Sequence, residues 1–202
     1  RLVAALGEKP YLVAFSALSI AVTVWLGYAF VAAPYVEVWP PTPWTRWVPL
    51  LAMPIACVLV VAGLTTPNPL SLGWGSAGWD PARPGIVAVT RHPAVWGLAL
   101  WSAAHMPVNG DVAGLLLFGL LTLLALSGPA SLDHKRRARL GEDRWRALAA
   151  GTSVWPLAAI LAGRARTSAA EIGWARILGG LALYAVLLFG HGPVIGLDPL
   201  AF

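Results

Sequence analysis

The sequence contains one cysteine and few charged residues, and both shortages restrict what the chain can be. Cys57 has no second cysteine with which to form an internal disulfide bond. Charged residues make up 11% of the 202 residues, whereas hydrophobic residues make up 58%. A water-soluble domain of this size would need more charged surface. The composition therefore indicates a protein of the lipid bilayer.

Acidic residues are scarcer than basic ones, with 9 Asp and Glu against 14 Lys and Arg. A basic balance can indicate nucleic-acid binding, but here the charges flank long apolar segments. That placement is typical of a membrane topology signal. We therefore expect the bilayer, and no nucleic acid, as a partner.

The long apolar segments predict an all-α, polytopic membrane bundle that forms a single domain over residues 1–202. About 20 apolar residues cross the ~30 Å of hydrocarbon in a bilayer. The predicted spans are residues 11–33, 47–64, 92–108, 111–128 and 172–191.

The segments between these spans carry breakers or charges. Residues 65–90 hold so many prolines and glycines that we expect a loop. Residues 131–146 are rich in charge and are expected to lie along the membrane surface, within a cytoplasmic amphipathic segment of about residues 130–170. Residues 154–162 are too few to cross a bilayer.

The distribution of Lys and Arg predicts the orientation of the chain. If its amino terminus is cytoplasmic, alternation of the spans places every Lys and Arg except Arg46 on the cytoplasmic side. Arg91 and His92 then lie at the cytoplasmic end of the third span. His105 and His191 lie toward the opposite face.

Residues 91–111, RHPAVWGLALWSAAHMPVNGD, hold most of the side chains that could carry chemistry. His105 follows Trp101 by one helical step of four, on a face that also carries Gly97. These three residues are expected to line a groove that suits a flat ligand. Because an imidazole within an apolar span is costly to bury alone, His105 is either a metal ligand or a structural histidine that bonds a neighbouring helix.

Three further residues could take part in cofactor binding. His191 ends the last span and either completes a pair of imidazole ligands or is an interfacial histidine at a helix terminus. Arg91 and His92 stand just before Pro93, which marks a helix start. They either hold an anionic group such as a propionate or cap the helix and contact headgroups.

The sequence also predicts roles for Asp111 and Cys57. Asp111 is expected to cap the fourth span after a tight Asn109-Gly110 turn. Cys57, midway through the second span, is either a small buried hydrophobe or a thiolate ligand.

The order of several motifs is shared with a known family. They are Arg91-His92-Pro93, Trp96-Gly97, Leu100-Trp101, Ala104-His105, Asn109-Gly110-Asp111, Phe118-Gly119, Asp133 with Lys135-Arg136, Gly141, Trp145 and Thr152-Ser153. This order resembles the signature of the NnrU family of bacterial membrane proteins, over nearly the whole chain. Relatives of that family include the plant and cyanobacterial 15-cis-zeta-carotene isomerase, which is similar at the Arg-His-Pro and Trp-x-x-Ala-His positions.

The resemblance implies a membrane-embedded haem b with His105 as an iron ligand, in a bacterial inner membrane. It also implies either haem-dependent isomerisation of a long polyene such as a carotenoid, or a role in denitrification and nitric oxide metabolism. The family normally begins with another hydrophobic helix that holds a His-Ser pair, and this sequence begins after that point. The isomerase has a cysteine where this chain has Ser102, so ligand exchange through that position is not expected.

Two other classes of function stay open. The Arg-His-Pro-x-x-x-Gly start of the third span, with Gly141, Trp145 and Pro156, also resembles membrane methyltransferases, and this implies S-adenosylmethionine beside Arg91 and His92. A non-enzymatic alternative is an accessory subunit whose spans pack against a larger respiratory or photosynthetic complex.

Overall fold

The computed structural model describes residues 3, 7–40, 42–73 and 75–201, and the regular structure of this part of the chain is helical. The helices are α1 (Glu8–Ala32), α2 (Trp47–Thr65), α3 (Ile86–Val89), α4 (Pro93–His105), α5 (Val112–Leu140), α6 (Glu142–Ala149), α7 (Ala158–Leu161), α8 (Ala169–Ile172) and α9 (Trp174–Ile195). A turn of 3-10 helix, Pro43–Arg46, leads into α2. Among the described residues the β pairing is limited to one isolated bridge between Glu37 and Asp111. The predicted all-α class is confirmed.

Within the described ranges, four helices are long and apolar enough to cross a membrane, namely α1, α2 with its leading turn, α5 and α9. The prediction of five spans is therefore wrong by one. Helix α4 has 13 residues and rises only about 20 Å, against ~30 Å of hydrocarbon. It is shorter than the predicted third span because it begins after His92 and because Pro107 has no amide hydrogen with which to extend it.

Helix α2 lies between α4 and α9, and glycines bring the backbones together at both contacts. A β-carbon on Gly97 of α4 would stand 2.7 Å from the carbonyl oxygen of Ala56. One on Gly180 of α9 would stand 2.5 Å from the α-carbon of Val58. Small residues at such positions let membrane helices pack closely. Helix α1 has no buried residue and approaches α5 near its end, where the rings of Phe30 and Phe118 lie 6.4 Å apart.

Helices α4 and α5 form an antiparallel hairpin. Its connection turns at residues 106–108 and then passes through Asn109-Gly110, so the turn lies earlier than predicted. Oδ1 of Asp111 accepts a hydrogen bond from the amide of Gly114 at 3.0 Å, so the predicted cap is confirmed. The carbonyl oxygen of Gly110 accepts from the amides of Val38 and Trp39. A β-carbon on Gly110 would stand 2.2 Å from the carbonyl oxygen of Trp39, so only glycine fits there. The turn is thus fixed to the loop that follows α1.

The charged segment differs from its prediction. Residues 131–140 are not a separate surface helix, because they continue α5 without a break. The helix ends at Gly141, whose φ of 82° is in the left-handed region, and α6 starts immediately after it. The loop predicted over residues 65–90 is shorter in the structure, because Thr65 still belongs to α2 and Ile86–Val89 form α3. The described residues between these two helices are irregular apart from turns, and residues 154–162 hold only the four-residue α7.

Candidate functional site

The predicted site residues separate to the two ends of α4. His92 precedes the helix and His105 is its last residue. The two are 13 positions apart, which corresponds to about 20 Å along the axis. The structure therefore does not bring Arg91 and His92 together with His105, and each end of α4 forms a site of its own.

His105 is held by a bond within its own helix. Nδ1 lies 2.7 Å from the carbonyl oxygen of Trp101. Because a carbonyl oxygen can only accept, the proton is on Nδ1 and the lone pair is on Nε2. In the described part of the chain, Nε2 has no hydrogen-bond partner. The expected bond to a neighbouring helix is not formed, and the free nitrogen is the one that a metal would take.

Aromatic rings surround this imidazole. The ring of Phe118 stacks on that of His105, with centroids 5.1 Å apart and planes at 25°. The indole of Trp101 lies 5.9 Å from the same imidazole. Phe118 is in turn edge-on to Trp101 and to Phe30. Nδ1 and the ring faces are thus fixed by protein, and the apolar neighbours keep the surroundings poor in water.

His191, near the end of α9, has the same arrangement. Its Nδ1 lies 2.6 Å from the carbonyl oxygen of Leu197, and its Nε2 has no hydrogen-bond partner within the described ranges. His191 thus presents its Nε2 in the same way as His105 does. We call His105 and His191 the histidine pair. Both rings leave an unprotonated Nε2 available.

The donor set of the histidine pair fits haem iron better than a bare metal ion. A protein site for zinc needs three or four side-chain ligands, and in the described residues no group of three or more His, Cys, Asp and Glu could hold a metal. Haem iron receives four nitrogens from the porphyrin and needs only one or two axial ligands from the chain. Cys57 is buried in α2, as expected of a small hydrophobe.

Gly97 does not lie on the same open face as Trp101. It packs against α2, as described above, so the predicted groove formed by Gly97, Trp101 and His105 is wrong. The reason is that the close approach of α2 and α4 requires a residue without a side chain at this position. Trp101 instead borders an apolar groove between α4 and α5.

A second group of polar side chains lies at the other end of α4, and we call it the polar cluster; its members are Ser71, Arg91, His92, Asp133 and Thr152. His92 is fully buried. Its Nε2 lies 3.1 Å from Oδ1 of Asp133, and its Nδ1 lies 2.8 Å from Oγ of Ser71. Since a carboxylate only accepts, Nε2 carries a proton, and the second hydrogen bond of the ring joins Nδ1 to the Ser71 hydroxyl. Both ring nitrogens are therefore occupied.

Arg91 completes the polar cluster. Its Nη1 donates to Oδ2 of Asp133, and its Nε donates to Oγ1 of Thr152 at 2.9 Å. The guanidinium stands over the ring of Trp145, 5.0 Å from the centroid. Burial lowers the pKa of Arg91, and Asp133 opposes that shift.

The anion beside Arg91 and His92 is thus the protein's own carboxylate. Neither residue is placed to hold a propionate or S-adenosylmethionine, which corrects both predictions for them. Their bonds instead connect α4 to α5 and to the loops on either side.

Sequence reasoning did not select Ser71, Asp133 or Thr152 as members of one site. For Asp133 a signal existed, because it is the only acidic residue between positions 112 and 141, among four Lys and Arg side chains. Thr152 was noted only within a shared motif. Ser71 lies in a loop with no periodic pattern, so nothing in the sequence places it beside His92.

The family comparison covers nearly the whole chain. A family model described as NnrU protein matches residues 1–199. No curated protein and no solved structure matches this chain.

Proposed function

We propose a haem-binding function from the premise that this chain belongs to the NnrU family. In this proposal His105 is an axial ligand of haem b. The observation that carries it is the free Nε2 of His105 beside an Nδ1 that is fixed by the carbonyl of Trp101. Histidines that ligate metals commonly donate their other ring N–H to such an acceptor, which fixes the tautomer and the orientation of the ring.

His191 is the second axial ligand in this proposal. Its ring has the same Nδ1-to-carbonyl bond, to Leu197. Two neutral imidazoles would also connect α4 with α9, both of which pack against α2.

The proposed substrate is a long polyene that dissolves in the bilayer, and the proposed reaction is its cis-trans isomerisation. Haem b, when bound, supplies an iron centre that can polarise a double bond or bind a small gas. Trp101 and Phe118 provide flat apolar surfaces against which a conjugated chain can stack, and they exclude water from the ring of His105. A role in nitric oxide metabolism would use the same ligand, and the assay below separates the two.

The proposed location is a bacterial inner membrane, with the amino-terminal end of this sequence in the cytoplasm. The asymmetry of Lys and Arg supports this orientation. The polar cluster and the charged end of α5 would then lie at the cytoplasmic face, and the histidine pair at the other face. The methyltransferase alternative receives no support from the polar cluster, because His92 and Arg91 are bonded within the protein.

The test is purification of the chain in detergent after expression with added haem precursor. We expect one haem per chain and conversion of a cis polyene to its trans isomer in detergent micelles. A haem-loaded protein that binds nitric oxide but leaves polyenes unchanged would overturn the substrate class alone. A protein that does not retain or take up haem would overturn the proposal itself.

A further inference from the structure

An apolar groove runs along the outer side of the α4–α5 hairpin. It has a volume of about 410 Å³ and is lined from α4 by Val95, Leu98 and Trp101 and from α5 by residues that include Leu121, Ala125 and Leu132. Leu98 is 47% exposed, so the groove opens on the surface that faces lipid. From Leu121 to Leu132 it extends about 17 Å along α5 at 1.5 Å per residue. Its length and its apolar walls suit a hydrocarbon chain.

Two cations continue the same face of α5 beyond the groove. Lys135 and Arg139 follow Leu132 by three and seven residues, which is the spacing of one helical face. Both are exposed, and neither side chain has a hydrogen bond or ion pair in the described part of the chain. The neighbouring Arg137 differs, because it pairs with Glu142 and stands over the ring of Trp145.

We propose that this groove and these two cations form a binding site for one anionic phospholipid. An acyl chain occupies the groove, and the phosphate contacts Lys135 and Arg139. Charge and shape together favour an anionic lipid. A soluble anion would not fill the apolar groove, and a lipid without net charge would not neutralise the two cations. Basic side chains just beyond a membrane span attract anionic lipids. The site shares Trp101 with the proposed polyene surface but includes neither residue of the histidine pair, and it does not depend on haem.

The first test compares headgroups. The full chain in detergent is mixed with equimolar phosphatidylglycerol and phosphatidylcholine of identical acyl chains, and the retained lipids are counted by native mass spectrometry. We expect one phosphatidylglycerol adduct, favoured about tenfold over phosphatidylcholine. Lys135→Gln with Arg139→Gln should abolish the preference. The matched control is Arg83→Gln with Arg144→Gln, which removes the same charge from exposed positions away from the groove and should retain the preference.

The second test blocks the groove. Ala125→Phe places a ring among the lining side chains and should reduce retention of phosphatidylglycerol at least fivefold. Ala130→Phe adds the same ring at an exposed position of α5 outside the groove and should leave retention unchanged. Circular dichroism checks that both variants keep their helices. If Ala125→Phe unfolds, the proposal is judged on the charge-removed variants alone.

Three results would overturn the proposal. One is equal retention of the two lipids by the unaltered chain, which would mean that the groove holds an uncharged chain. Another is an equal loss of the preference for phosphatidylglycerol in both charge-removed proteins, which would indicate attraction by net charge alone. The third is an equal effect of the two phenylalanine variants, which would show that the groove is not the binding site.

Discussion

Nε2 of His92 lies 3.1 Å from Oδ1 of Asp133, and this contact joins the start of α4 to the charged end of α5. The other oxygen of the same carboxylate accepts from Arg91. At the opposite end, the connection through Asn109-Gly110 and the cap at Asp111 close the hairpin. The polar cluster and the turn therefore fix the register of the two helices whose far end carries His105.

Asp133→Asn should destabilise the protein strongly. The substitution leaves the buried guanidinium of Arg91 without its counter-charge, and it replaces one of the two acceptor oxygens, which serve Arg91 and His92 separately, by an NH2 group that cannot accept. We expect the free energy of unfolding, measured by denaturant titration in detergent, to fall by about 2–4 kcal/mol. Asp143→Asn is the control, because Asp143 is exposed at the first turn of α6 and should cost less than about 1 kcal/mol. Similar losses in the two variants would contradict the assigned role of the polar cluster.

Gly97→Ala tests the close contact between α2 and α4. The added β-carbon would stand 2.7 Å from the backbone oxygen of Ala56, which cannot move aside. We expect the free energy of unfolding to fall by about 1–3 kcal/mol. At Gly190 of α9 nothing lies within 4 Å of an added β-carbon, so Gly190→Ala should be neutral or stabilise by up to about 1 kcal/mol through helix propensity. An equally tolerated Gly97→Ala would show that the two helices are further apart than described.

Asp111→Ala should remove the cap of α5. Oδ1 of Asp111 accepts the amide hydrogen of Gly114, and alanine cannot. The expected loss is about 1 kcal/mol, measured as a lower midpoint of thermal unfolding. Asp111→Asn retains an acceptor oxygen and should restore most of that loss. If asparagine fails to do so, the charge of Asp111, and not its hydrogen bond, is what matters.

His191→Ala tests the second iron ligand. Loss of one of two strong axial nitrogens should convert ferric haem from low spin to high spin, as observed by electron paramagnetic resonance. His134→Ala is the matched control, because His134 is exposed on the charged part of α5 and has no hydrogen bond or ion pair within the described ranges. An unchanged spin state in His191→Ala would remove His191 from the proposal and leave His105 in it.

The sequence predicts well what depends on local chemistry. The length of the apolar segments predicts α1, α2, α5 and α9. The cap at Asp111 follows from residues adjacent in the chain. The error in the third span has a local cause, which the apolar composition of the segment does not reveal. Its residues are apolar, but the chain already leaves the helix at His105, shortly before Pro107.

Contacts between distant segments were not predictable in the same way. Ser71 and His92 are 21 positions apart, and His92 and Asp133 are 41 apart. Only the fold brings them together, so the sequence leaves Arg91 and His92 open either to an outside anion or to helix capping and headgroup contact. Gly97 was misplaced for a related reason, since periodicity gives the face of a helix but not the neighbour that covers it.

Haem content of the purified chain tests the central claim most directly. The Soret absorbance and the ratio of haem to protein are measured for the unaltered chain, for His105→Ala and for the control His134→Ala, with circular dichroism to verify that each is folded. The account predicts about one haem per chain in the unaltered protein and the control, and a loss of most of the haem in His105→Ala. A folded His105→Ala protein that keeps both its haem and an unaltered Soret band would contradict the account.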